Sequence, residues 1–234
     1  TMTSQPDQPL FEISADVLLR AYACGIFPMA ESASDPNLYW IDPDYRGALP
    51  LDAIWLTRRL ARTIRQGRFE VRVDTDFEAT IEGCAAPRPG RQSTWINERI
   101  RELYGELFSS GYCHTVEVYR GDELVGGLYG VALKGAFFGE SMFSTERDAS
   151  KVALIDLCAR LIWGGFYLLD TQFITEHLAS FGAEEIPRNE FHTRLNYALS
   201  IEADFNALPQ STPPDEIVDI IRDNIRENLG EDDE

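Results

Sequence analysis

The sequence has few of the residues from which metal and redox sites are usually built. It contains four cysteines and three histidines in 234 residues, and neither type forms a closely spaced pair. Zinc sites and redox motifs place their cysteines about two to four residues apart, so the sequence predicts no metal site. Isolated thiols are typical of a reducing compartment, and we therefore expect a cytoplasmic protein.

Several other signatures are missing as well. The chain has no run of about 18 apolar residues, so we expect no transmembrane helix and no membrane partner. It has no GxSxG nucleophile elbow and no phosphate-binding P-loop. Glycines 126, 127 and 130 interrupt an apolar stretch, where they indicate close backbone approach in a strand rather than a dinucleotide site. Catalysis through a familiar serine or cysteine nucleophile is therefore not expected.

Positively charged side chains are scarce relative to negatively charged ones. The net charge is −18, which argues against general affinity for nucleic acid. Half of that charge lies in residues 201–234, which contain eleven acidic and two basic side chains. Six arginines nevertheless lie between positions 58 and 72, with only Glu70 opposing them. Such a cluster is either a solvated helix face or a surface that binds RNA phosphates.

The order of the sequence patterns predicts an α+β fold in three parts. A proline- and aspartate-rich segment ends a small N-terminal domain at residues 1–46. Residues 47–208 follow, with an antiparallel meander, a helix and a returning strand that together predict a mixed sheet flanked by helices. Residues 209–234 begin with a proline-rich linker and continue as an amphipathic helix. The acidic end of this tail is expected to be disordered.

Capping residues and apolar spacing predict the individual elements. Ser14, Thr57, Asn97 and Asp148 stand where helices would begin. The predicted helices cover residues 14–24, 57–66, 77–86, 97–111, 148–163, 176–181 and 188–199. The predicted strands cover residues 69–74, 113–119, 123–133, 136–143 and 166–173.

Three polar residues within apolar segments are the candidates for chemistry. Glu140 lies in the aromatic segment 137–143, where a charge is costly unless it is paired. Asp170 and Gln172 are two positions apart at the end of an apolar strand and would share one face. Two carboxylates and an amide beside an apolar pocket suit the binding or deprotonation of a cationic amine. The alternative is ordinary polar groups that satisfy a loop.

At these residues the chain resembles the leucyl/phenylalanyl-tRNA–protein transferases. The similar segments cover about residues 15 to 195 and include LLRAYACGIFPM, TWIN, GESMFS, LLDTQF and EHLASFGAEEIPR. The resemblance implies transfer of Leu or Phe, and less well Met, from aminoacyl-tRNA to proteins with an N-terminal Arg or Lys, which marks them for degradation. It also implies a small N-terminal α/β domain and an N-acyltransferase-like larger domain. Because an aminoacyl ester is already activated, no cofactor is expected.

The resemblance also assigns site residues. Asp170, Gln172 and Glu140 correspond to the catalytic group, and the pocket for the transferred side chain corresponds to Leu128, Phe137, Met142, Leu157 and Leu169. Trp95 corresponds to a tryptophan that contacts the terminal adenosine of the tRNA. Met29 departs from the family, which usually has an aromatic residue after Phe-Pro.

The aromatic and basic residues outside these motifs suggest further RNA contacts. Trp40 is a second aromatic side chain that could stack on an unpaired base. The tRNA acceptor stem is expected to contact Arg58, Arg59, Arg62 and Arg65. The tail beyond residue 208 lies outside the similar segments, and we expect it to be dispensable for chemistry.

Two other functions remain open at this stage. An acyl-CoA-dependent N-acyltransferase would share the larger domain's fold, but the glycine pattern that binds its pyrophosphate is missing. A non-enzymatic adaptor could bind basic N-termini through Glu140 and Asp170.

Overall fold

The computed structural model describes residues 13–35, 37–89 and 94–230. The helices in these ranges are α1 (Ala15–Ala23), α2 (Arg58–Arg65), α3 (Phe77–Ala85), α4 (Glu98–Ser109), α5 (Ala149–Trp163), α6 (Glu176–Ala179), α7 (Arg188–Ala198) and α8 (Pro214–Leu229). The strands are β1 (Phe27–Met29), β2 (Tyr39–Ile41), β3 (Tyr45–Ala48), β4 (Glu70–Val73), β5 (Cys113–Arg120), β6 (Glu123–Leu133), β7 (Ala136–Ser144), β8 (Leu168–Gln172) and β9 (Glu184–Pro187).

A seven-stranded mixed sheet organises the protein. Its strand order is β4-β5-β6-β7-β8-β3-β9. Strands β7 and β8 are parallel, whereas every other neighbouring pair in this sheet is antiparallel. Helix α5 makes the crossover that a parallel pair requires. The α+β prediction is confirmed, and the pairing brings the strand of Glu140 next to the strand of Asp170.

Most helices begin at the residues that the sequence indicated. Ser14, Thr57 and Asn97 each accept a hydrogen bond from a backbone N–H in the first turn of their helix. Asp148 precedes α5 but makes no such bond, and its backbone is left-handed with φ +70°. Its carboxylate instead pairs with Arg59. The prediction that Asp148 caps α5 through its side chain is therefore wrong.

Four short strands were not predicted. Strands β1 and β2 form a separate antiparallel ribbon, and β3 lies between β8 and β9 in the main sheet. Each of them is only three or four residues long. Strands this short carry too little alternation to be recognised from the sequence.

The two faces of the sheet are covered by separate hydrophobic clusters. One cluster contains α2, α5 and α8, and the other contains α1, α3, α4 and α7. Helix α8 contributes Ile217, Val218 and Ile221 to the first cluster. The division at residues 46 and 208 stays a proposal, and the acidic residues 231–234 lie outside the described ranges. Within those ranges, no helix combines the length and apolarity needed to span a membrane.

Candidate active site

An apolar cavity of about 490 Å³ opens beside the central strands. Strands β6, β7 and β8 form one side of it, helices α5 and α6 form another, and Met29 of β1 reaches its edge. The volume falls within the range of small-molecule sites. A larger cavity of about 660 Å³ lies between the 48–53 segment and α8, but of the site residues predicted above it contains only Leu169.

The cavity brings together most of the residues predicted for the site. Those that line it are Met29, Trp95, Leu128, Glu140, Met142, Leu157, Leu169, Asp170 and Gln172. Phe137 does not line it. That side chain is fully buried and packs against Phe166 and Phe205 elsewhere in the core. Trp40 is on β2, opposite Pro28, and does not line the cavity either.

Glu140 is held by a network of hydroxyl and amide donors. Its Oε1 accepts hydrogen bonds from the Tyr22 hydroxyl and, at 2.9 Å, from Gln172 Nε2. Tyr22 in turn bonds to the Tyr104 hydroxyl. The other carboxylate oxygen of Glu140, Oε2, is buried and has no partner among the described residues. Burial raises the pKa of Glu140 to about 8, although the Tyr22 and Gln172 hydrogen bonds oppose that shift.

Asp170 is paired with a buried arginine. Arg46 donates from Nε to Oδ1 at 2.9 Å and from Nη2 to Oδ2 at 2.6 Å. The backbone N–H of Gln172 donates to the same Oδ1 at 2.9 Å. Gln172 has a φ of +64°, so it does not continue the extended strand. The Gln172 amide reaches Glu140 from this turned backbone rather than through simple strand alternation.

Four site residues were not identified as such from the sequence. Tyr22 belongs to the similar segment LLRAYACGIFPM and Arg46 to DPDYRGALP. Nothing in their local pattern reveals partners more than 100 positions away. Tyr104 lies within the predicted helix 97–111, where nothing in the pattern distinguishes it from the apolar residues around it. His177 lines the cavity with a buried Nε2 that has no partner in the described structure, and burial lowers its pKa.

The four predicted RNA-binding arginines differ in their surroundings. Arg59 forms two hydrogen bonds with Asp148, at 2.7 and 3.0 Å. Arg65 lies 3.5 Å from both Asp215 and Asp219 of α8. Arg58 and Arg62 are exposed and have no ion-pair partner in the part of the chain that the structure describes. The arginine surface is therefore partly neutralised by the protein's own acids.

An apolar cavity bordered by an amide and two carboxylates suits an enzyme that transfers a group with an apolar side chain to an amine, because the carboxylates can bind or deprotonate the amine. The described ranges contain no group of three His, Cys, Asp or Glu side chains that could hold a metal ion.

Comparisons with known proteins agree with this class. The profile of the leucyl/phenylalanyl-tRNA protein transferase family matches residues 48–196, and that of its N-terminal domain matches residues 11–44. The chain is 58% identical to the leucyl/phenylalanyl-tRNA–protein transferase of Afipia carboxidovorans over 90% of this chain and 92% of the relative. It is 62% identical to the leucyl/phenylalanyl-tRNA–protein transferase of Nitrobacter winogradskyi over 86% of this chain and 90% of the relative. The chain belongs to the leucyl/phenylalanyl-tRNA–protein transferase family.

Proposed function

We propose that this protein transfers Leu or Phe, and Met less well, from aminoacyl-tRNA to the N-terminal Arg or Lys of acceptor proteins, which marks them for degradation. The observation that carries the proposal is the apolar cavity, whose wall presents Gln172 and Glu140. The aminoacyl side chain occupies the cavity among Leu128, Met142 and Leu157, and its ester lies beside the polar wall.

The reaction requires few groups from the protein. The amine nitrogen forms a bond to the ester carbonyl carbon, the bond from that carbon to the ribose oxygen breaks, and an amine proton passes to that oxygen. Holding the two reactants together supplies roughly 7–11 kcal/mol in favourable cases. The Gln172 amide, fixed by its bond to Glu140, orients the amine or donates to the carbonyl oxygen.

The proposed acceptor specificity rests on Glu140. Its buried Oε2 has no partner among the described residues, and a guanidinium or ammonium group from an N-terminal Arg or Lys would supply the missing donor. A bound cation also favours the charged carboxylate over the neutral acid. An acidic N-terminal residue would leave Oε2 unpaired and add repulsion.

The tRNA is proposed to approach over Trp95 and the arginine surface of α2. Trp95 is partly exposed at the cavity edge, where it can stack on the terminal adenosine. Arg58 and Arg62 are the side chains most available to the phosphates. A cytoplasmic location follows from the proposal, because charged tRNA is found there.

One reaction tests this function. The full chain is mixed with Phe-tRNA and a peptide that begins with Arg, and mass spectrometry measures the peptide. The expected product carries one added phenylalanine at its N-terminus. Matched controls use a peptide that begins with Glu and the Gln172→Ala variant. Binding of the peptide without any product would instead favour an adaptor.

A further inference from the structure

Arg46 occupies a buried position that reaches the site from β3. Its side chain is 1% exposed, and the guanidinium lies between the rings of Phe27 and Phe191, 4.5 and 4.2 Å from their centroids. Besides its two bonds to Asp170, it donates from Nη1 to the Gly25 carbonyl at 2.7 Å. These contacts leave the guanidinium in a single orientation, with its forked donors on the carboxylate.

Both oxygens of Asp170 are engaged by this arrangement. Both of its oxygens accept from Arg46, and Oδ1 also accepts from the backbone of Gln172. A carboxylate offers about four lone-pair sites, and three are taken. Asp170 is also completely buried. Taking a proton from an incoming amine would require it to release Arg46, which would leave a charge unpaired in the core.

The third bond links this pair to the catalytic amide. Gln172 has a positive φ, which is unfavourable for a residue with a side chain. Its N–H is held in that conformation by Asp170 Oδ1, and its Nε2 then lies 2.9 Å from Glu140. A continuous series of bonds therefore runs from Arg46 through Asp170 and Gln172 to Glu140.

We propose that Arg46 is a positioning residue for the transfer reaction. It fixes Asp170, which fixes the backbone of Gln172 and so directs the Gln172 amide toward the aminoacyl ester. In this arrangement Asp170 positions Gln172 and takes no proton from the amine. The inference rests on the proposed function for its kinetic test and on the observed contacts for its structural test.

The test compares Arg46→Met, Asp170→Asn and the double variant, all in single-turnover transfer from pre-bound Phe-tRNA to an Arg-peptide. Methionine can fill the space between the two rings. Each single variant leaves one buried group without its partner and should be slow. The double variant leaves no unpaired charge and should be about tenfold or more faster than Arg46→Met, because paired sites are not additive. A double variant no faster than the slower single variant would overturn the proposal.

The pH dependence provides a readout that a general loss of stability would not change. If Asp170 takes no proton, the ratio of wild-type to double-variant rates stays constant across the amine pKa of about 7.7–8.0. A ratio that varies through this range would show that Asp170 itself takes part in proton transfer.

Arg160 offers a matched control, because it is a buried arginine whose Nε lies 2.6 Å from Asp156 Oδ1. Neither residue of this pair lines the cavity. Arg160→Met should lower stability and leave the rate per folded molecule unchanged.

Two further measurements apply if Arg46→Met does not fold or if the wild-type protein shows no transfer. If Arg46→Met does not fold, Arg46→Lys retains the charge without the fork; it should reduce kcat and leave the KM for tRNA unchanged. A lysine variant with wild-type kcat would contradict the proposal. Hydrogen exchange at the Gln172 backbone N–H should be at least about tenfold faster in these Arg46 variants than in Arg160→Met. This readout needs no transfer, so inactivity of the wild-type protein would count against the proposed function alone.

Discussion

Gln172 and Glu140 are joined by a 2.9 Å hydrogen bond from Nε2 to Oε1. They lie on neighbouring parallel strands that α5 connects. Because the same Glu140 oxygen also accepts from Tyr22, loss of either donor leaves the carboxylate less well solvated. The orientation of the amide and the charge state of the carboxyl group are therefore coupled, and substitutions at the two residues should not be additive.

Gln172→Gly should separate stability from activity. Its positive φ of +64° carries a strain cost of about 1 kcal/mol or more. Glycine removes this strain and also the amide, so the variant should be more stable in urea denaturation than Gln172→Ala and, like it, should lose most transfer. Gln172→Ala keeps the strain and loses the amide, which makes it the matched control. Gln172→Glu should be worse than alanine, because a second acid would face Glu140. Wild-type transfer by the glycine variant would remove the amide from the mechanism.

Glu140→Gln should change how stability depends on pH. The pKa of Glu140 is raised to about 8 by burial, whereas the group titrates near 4.3 when unfolded. Between these values the folded state binds more protons than the unfolded state, so this group's contribution to stability is present below about pH 4.3 and lost as pH rises through about 8. Glutamine does not titrate. The stability of the Glu140→Gln variant relative to wild type should therefore increase between about pH 6 and pH 9, as measured by thermal unfolding in matched buffers.

The cavity should discriminate against branching at Cβ. Leu128, Met142 and Leu157 enclose a mostly apolar space, where one methylene changes binding by about 1–3 kcal/mol. We expect Leu and Phe to be transferred well, Met less well, and Ile and Val poorly. Competition between Leu-tRNA and Ile-tRNA of matched sequence measures the ratio. Equal transfer of the two would place the side chain outside this cavity.

Arg62 should matter more for tRNA binding than Arg65. Arg62 is exposed and has no ion-pair partner in the described ranges, whereas Arg65 faces Asp215 and Asp219. Arg62→Ala should weaken binding and reduce the salt slope by about 1, as for loss of one phosphate contact. Arg65→Ala serves as the control with a smaller effect. Asp219→Asn should strengthen binding slightly, because it leaves Arg65 with one acidic neighbour, Asp215, instead of two. Salt titrations of tRNA binding check all three, and unchanged slopes throughout would place the RNA on another surface.

Helix α8 should be needed for stability and not for chemistry. Ile221 is fully buried, and Ile221→Ala should lower the free energy of unfolding by about 2–5 kcal/mol. Leu229 lies on the same helix and is 70% exposed, so Leu229→Ala should change the free energy of unfolding by less than about 0.5 kcal/mol. The rate per folded molecule should be equal in both variants. Slower transfer by fully folded Ile221→Ala would give α8 a part in the reaction.

Much of the fold could be predicted from local patterns. Ser14 and Asn97 cap their helices as expected, α2 begins after Thr57 as expected, and the meander over β5, β6 and β7 follows from alternation and turn residues. Strands β3 and β9 could not be predicted in this way. Both are stabilised by pairing with distant strands, and their own residues have little strand pattern.

The site residues likewise divide into those that local patterns indicate and those that they do not. Glu140, Asp170 and Gln172 stand out because polar groups in apolar strands are unusual. Phe137 was expected in the cavity because it lies in the same aromatic segment as Glu140, but its ring packs against Phe166 and Phe205 in the core. Arg46 could not be identified as the partner of Asp170, because a salt bridge across 124 positions leaves no local signal.

The long separations within the site have a consequence for folding. Tyr22 meets Glu140 across 118 positions, and Arg46 meets Asp170 across 124. Contacts of such high sequence separation form late, because closing the intervening loop costs entropy before any bond repays it. Opening of residues 13–48 alone would withdraw Tyr22 and Arg46 while the meander of β5, β6 and β7 remained paired. If Tyr22 and Arg46 position the site as proposed, we expect transfer activity to depend on the docking of the N-terminal segment and to be lost on heating before the meander of β5, β6 and β7 melts.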